Sequence, residues 1–108
     1  MISSVFAIAL AAGSMQASDA TRSAREAFTA CLRTYVQTSL EAQMAVDAFN
    51  TAYPQQCTQQ EAAFREAVLR RENAARATRA SADQTANDEI TDARTNFKDR
   101  FEMAASPQ

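Results

Sequence analysis

The chain has no histidine and no tryptophan, and its single glycine is Gly13. Each absence closes off chemistry. A serine or cysteine nucleophile normally works through a neighbouring base, most often histidine. A zinc site needs imidazole or a cluster of thiolates, and here there are only Cys31 and Cys57. Covalent haem attachment needs Cys-x-x-Cys-His, which is absent. Past Gly13 no residue takes positive φ without steric cost, which argues against β-hairpins, phosphate-cradling loops and dinucleotide folds. Basic charge is almost all arginine, Lys98 being the only lysine, and the net charge of −2 gives no reason to expect a polyanionic or polycationic partner. We therefore expect no nucleic-acid binding, no cofactor, no metal and no enzyme activity.

What remains is rich in Ala, Arg, Glu and Gln, which are good helix formers. The expected fold is all-α. Two short helices pack on a long C-terminal helix as a bent hairpin or small three-helix bundle, stapled by one disulfide.

Residues 2–13 read ISSVFAIALAAG, a short apolar run that ends in small residues. This matches the apolar core and cleavage region of a secretory signal peptide, although the segment before it carries no Lys or Arg. Its length is below the roughly 20 apolar residues of a spanning helix. We take residues 1–17 as a removed signal, with cleavage after Ala17 and with Ser14 and Ala20 as alternatives. A single helical domain over 18–103 and a frayed tail over 104–108 complete the division. The expected location is periplasmic or secreted, with no stable membrane span after cleavage.

Export bears on the cysteines. An even count in a small exported chain usually means a disulfide. Most of the large apolar side chains lie between Cys31 and Cys57 or just beside that stretch. The first helix, from about Ser18–Thr21, carries Ala24, Phe28, Cys31, Leu32, Tyr35 and Val36 at spacings of three and four. If it ran straight to Tyr53, Cys31 would lie roughly 30 Å from the Pro54 turn. Bridged Cα atoms must lie within about 7 Å. An intramolecular bond therefore demands a bend between Val36 and Asp47, either at the Thr38–Glu41 capping-box pattern or near Ala45-Val46-Asp47. The second helix then carries Leu40, Met44, Val46, Phe49 and Tyr53 and stops before Pro54. The third starts at Thr58, whose pairing with Glu61 suggests another capping box. We read the disulfide as a staple. A redox role, favoured by Cys57 lying before a helix start, has no Cys-x-x-Cys to support it.

From Arg70 to Glu89 the sequence holds no large apolar residue, then Ile90, Phe97, Phe101 and Met103 follow. An unbroken third helix from Thr58 to about Met103 spans on the order of 65–70 Å, more than the first two helices can cover. A break near Ala80, with Ser81 and Gln84 capping a new helix, is the alternative. The stripe Ile90, Ala93, Phe97 and Phe101 must fold back on the core, dimerise or bind a protein partner, which makes it the candidate interaction surface. Arginines from Arg65 to Arg79 precede Asp83, Asp88, Glu89 and Asp92. We expect a solvated helix here, or antiparallel self-association with the basic half against the acidic half. Asp88 and Asp92 lie one turn apart and suit a solvated acidic face better than a metal or acid–base site.

Cys57-Thr58-Gln59-Gln60-Glu61 resembles, in its threonine alone, the Leu-Thr-x-x-Gln helix start of small periplasmic chaperones of the Spy type. That match does not make the chain a member of the family. The sequence favours a non-catalytic structural or protein-interaction role, with a chaperone-like or stress-related binding protein as the alternative.

Overall fold

The computed structural model of the protein describes residues 3–106, with side chains from Gln16 onward. Four α-helices account for nearly all of it: α1 (Ser3–Glu41), α2 (Val46–Ala52), α3 (Thr58–Ala74) and α4 (Arg79–Ala105), with a 3-10 turn at Tyr53–Gln55. Among the described residues there is no strand. The expected all-α bundle is what forms, and the Cys31–Cys57 disulfide joins α1 to the residue preceding α3 with Cα atoms 5.9 Å apart.

The bend required by that bond falls between Glu41 and Val46. Thr38 does not start a helix. It lies inside α1, where its carbonyl accepts from the Ala42 amide, so the capping-box pattern there is not used. Leu40 accordingly belongs to α1 and Met44 to the turn, leaving a second helix of only 7 residues. The turn closes by the Gln43 amide donating to Leu40 O and the Met44 amide to Ser39 O. This is the Schellman pattern, with Gln43 at φ 55° in the position glycine usually takes.

The single long C-terminal helix is replaced by two. The break falls at residues 75–78, slightly before the Ala80 alternative. It is a second Schellman turn: the Ala77 amide reaches Glu72 O, the Arg76 amide reaches Asn73 O, and Arg76 sits at φ 63°. Thr78, rather than Ser81, caps α4, its Oγ1 accepting from the Ser81 amide at 3.1 Å. At the start of α3 the cap is likewise displaced by one residue. Cys57 occupies the N-cap at φ 61° with no side-chain cap bond, and Thr58 is the first helical residue.

With the break, α4 turns back along α3 and beside α1. Helix α3 runs antiparallel to α1, as Thr21 meets Ala67 and Cys31 meets Cys57. Helix α4 runs parallel to α1 at a constant offset of 64 residues, set by Arg25 on Glu89, Arg33 over Phe97 and Leu40 beside Ala104. The core is one continuous cluster through Phe28, Leu32 and Val36 of α1, Phe49 and Tyr53, Phe64 and Val68 of α3, and Ile90, Phe97 and Phe101 of α4. An aromatic knot closes its far end: Phe49 stacks on Phe101 with centroids 3.8 Å apart and on Tyr53 at 4.8 Å, and Tyr35 lies 5.5 Å from Phe49. Helix α4 continues through Ala105, half-buried against this core, so the chain is still helical where fraying was expected to begin at Ala104. Residues 107–108 of that tail lie outside the described residues, as do the side chains of most of the 1–17 signal segment.

Candidate functional site

The stripe on α4 is internal. Ile90, Phe97 and Phe101 are buried, and Ala93 is half-buried against them. Of the three outcomes open to that stripe, the structure takes fold-back, which corrects its placement as an open surface for a partner. Two arginines cover Phe97, Arg33 of α1 at 5.8 Å and Arg100 at 4.7 Å from the ring centroid. The guanidinium planes shield the ring while keeping their charge in water.

Of the charge asymmetry, one pair closes within the molecule, and Arg70, Arg76, Arg79, Asp83, Asp88 and Asp92 are exposed. Because α3 and α4 are antiparallel, the basic segment lies against the acidic one. Glu89 accepts from Arg71 of α3 at 2.7 Å and from Arg25 of α1 at 2.5 Å, one carboxylate oxygen each. Arg65 donates to Asn87 Oδ1 at 2.6 Å. Burial pushes the Glu89 carboxyl up, but Arg71 and then Arg25 outweigh it and hold the group below its ordinary range. The hydrogen bond to Glu89 in turn raises Arg71. Glu89 is committed to these two arginines, and Asp88 is exposed. Among the described residues no group of three or more His, Cys, Asp or Glu is placed to hold a metal ion.

A second cluster sits beside the disulfide, and sequence reasoning missed it. Arg94 is half-buried on α4. Its Nε donates to Glu61 Oε1 at 2.5 Å, its Nη2 to Gln56 O at 2.7 Å and its Nη1 to Tyr53 O at 3.2 Å. The same guanidinium lies 5.4 Å from the Phe28 centroid and 5.3 Å from that of Tyr53. Tyr53 Oη donates to Arg94 O at 2.7 Å. Burial drives the Tyr53 phenol up to about 12 against the opposing pull of Arg94. Arg94 thus satisfies the Gln56 carbonyl, which no helix ladder reaches, and adds a second donor to Tyr53 O, which already accepts from the Gln56 amide. Glu61, expected as a capping-box partner for Thr58, is used here instead. Nothing in the spacing marks Arg94, since its partners are backbone carbonyls 38 and 41 residues away.

Among the described residues, a large open concavity lies on the other side of the disulfide. It is a groove of about 550 Å³ between α1 and the start of α3. Ala27, Ala30, Thr34 and Thr38 form the α1 wall, Tyr35 and the disulfide the floor, and Gln56 and Gln60 the opposite rim. None of these side chains is charged, and the wall is of small residues. The groove offers apolar area with amide and hydroxyl groups along its edges, suited to contact with a polypeptide and without an acid, base or nucleophile. Among the described residues no helix is long and apolar enough to cross a membrane. Comparison with family models, with curated proteins and with solved structures finds no match to this chain.

Proposed function

We propose that this chain is an exported helical protein with a non-catalytic structural or protein-interaction role, acting in the periplasm or outside the cell. The observation that carries the reading is the Cys31–Cys57 disulfide. Such a bond persists in an oxidising compartment and is rare in a reducing one. It joins the two walls of the uncharged groove and so holds that concavity in shape. The shifted ionisable groups, Glu89, Arg71 and Tyr53, are all engaged in bonds that hold helices together.

A chaperone-like binder is the second reading, and the groove favours it, because it offers uncharged, largely apolar area to a client. The test combines two measurements on oxidised protein. Intact mass before and after reduction should rise by the two hydrogens of one intramolecular bond; a covalent dimer instead would sink the staple. Aggregation of an unfolded client is then followed with the protein and with Thr34→Trp, which fills the groove from an exposed position. Suppression lost in the variant supports the binder. Suppression by neither leaves the structural role, and equal suppression by both moves the binding surface away from the groove.

A further inference from the structure

The geometry points to a processing site between Ser14 and Met15, cut by an endopeptidase that reads small side chains at the first and third positions before the scissile bond. The inference deepens the export reading and rests on it. The sequence alone leaves three cuts open, after Ser14, Ala17 or Ala20, and the register of the bundle separates them.

The offset of 64 residues between α1 and α4 puts Arg79, the first residue of α4, level with Met15. The backbone of α1 before Met15 therefore runs on past the tip of the α3–α4 hairpin. Residues 15–20, by contrast, lie alongside the last turns of α3 and the first turns of α4. Ala17 is half-buried there, and its carbonyl accepts from Thr21 Oγ1 at 2.8 Å. Thr21 is 2% exposed, and the same hydroxyl reaches across to Ala67 O of α3 at 3.2 Å.

A cut after Ala20 would strip α1 from the hairpin tip and place a new ammonium group on Thr21, at a site whose neighbours are carbonyls and alanine. Burying a charge without a counter-ion is costly. A cut after Ala17 removes the carbonyl that Thr21 uses and places Met15, a long side chain, at the third position before the bond. A cut after Ser14 has Ala12 and Ser14 at the two positions that must be small. It keeps both acceptors of Thr21 and leaves the mature α1 flush with the hairpin. Processing precedes folding, so the cut that leaves a complete bundle is the one compatible with a stable product.

The test is N-terminal sequencing and intact mass of the full chain expressed in a cell that exports it. The expected mature protein begins at Met15. Ser14→Leu and Ala12→Leu should accumulate the precursor, while Ala20→Leu, a change at an exposed position, should be processed normally. A mature protein beginning at Ser18 or Thr21, or normal processing of Ser14→Leu, overturns the assignment while leaving export intact. A chain of full length in every fraction overturns the export reading itself, and the cut with it.

Discussion

Tyr53 and Arg94 hydrogen-bond each other twice, in opposite senses. The phenol of Tyr53 donates to the backbone carbonyl of Arg94 at 2.7 Å, and the guanidinium of Arg94 donates to the backbone carbonyl of Tyr53 at 3.2 Å. The pair ties the 3-10 turn to α4 across 41 residues of sequence. It lies just before Cys57, so the region around the disulfide is anchored by a covalent bond on α1 and by a polar clamp on α4.

Removing that clamp should be expensive. Arg94→Met leaves the Gln56 carbonyl and the Glu61 carboxylate without their donor in a partly buried site, and takes one of two donors from Tyr53 O. We expect a loss of about 2–3 kcal/mol, given that unpaired buried polar groups cost roughly 1–3 kcal/mol each. Arg94→Lys should recover little, since one ammonium cannot span three acceptors held by a planar fork. Urea denaturation midpoints measure both, and a lysine variant as stable as wild type would contradict the clamp.

The alkaline limb of stability belongs to Tyr53. Its phenol is raised from an ordinary 10.0 to about 12 in the folded protein, mainly by burial. A group whose folded pKa is raised contributes its full stability below pH 10 and loses it as pH climbs from 10 toward 12. Ultraviolet titration should show one phenolate forming near pH 12, with stability falling across the same window. Tyr53→Phe should lose that dependence, and a Tyr53 phenolate forming near pH 10 would refute the burial.

At the acid end the group is Glu89. Its carboxyl is held below the ordinary 4.5 by Arg71 and Arg25. It therefore stabilises the fold above about pH 4.5, and that contribution drains as pH falls through the lowered folded value. Glu89→Gln should cost about 1–2 kcal/mol at neutral pH, a magnitude reduced from the buried-pair range because the side chains are partly exposed. The difference between variant and wild type should shrink in acid. Denaturation at neutral pH and at pH values well below 4.5 reads both.

Two turns carry a conformational cost that glycine would relieve. Gln43 and Arg76 sit at φ 55° and 63° in Schellman turns. Left-handed backbone costs a side-chain-bearing residue roughly 1–2 kcal/mol, part of which glycine returns as unfolded-state entropy. Arg76→Gly and Gln43→Gly should each stabilise the protein by about 0.5–1 kcal/mol. Thermal melts decide this, and a clear loss in both variants would mean that the turns are held by the side chains.

Much of the helical content was legible because it is local. Phe28, Leu32 and Val36 recur at four-residue intervals on one helix face, and these are the α1 residues that the core buries. The need for a bend followed from chain length and the reach of a disulfide, and both are readable without coordinates. Its position was harder to find. Thr38–Glu41 has the composition of a cap, but a threonine inside a helix costs little, and packing of Ser39 and Leu40 kept α1 running to Glu41.

The break at Arg76 was legible only as an alternative, placed a few residues late near Ala80, for a related reason. Residues 72–79 hold no Gly or Pro and are mostly Ala, Arg and Glu, so continuation was the first expectation, against the cap pattern of Ser81 and Gln84. The cost of one left-handed arginine is outweighed only when Ile90, Phe97 and Phe101 reach the core on α1 and α2, a gain of order 1.5–3 kcal/mol for each large side chain buried. Arg94 is a further case, since its acceptors are backbone carbonyls, which carry no residue-specific mark in the sequence.

By itself, then, the sequence determined the helical class, the need for a turn if its two cysteines bond within one molecule, and the lack of histidine-based chemistry. Only the tertiary structure decided that Cys31 and Cys57 bond within one molecule, that the C-terminal stripe is core rather than surface, that Arg71 and Arg25 hold Glu89, and that Arg94 secures the Tyr53 turn. The division has one physical cause. Helix formation and disulfide reach depend on neighbours along the chain, whereas a left-handed turn, a buried arginine and a closed stripe are stabilised only by partners brought together when the whole bundle packs.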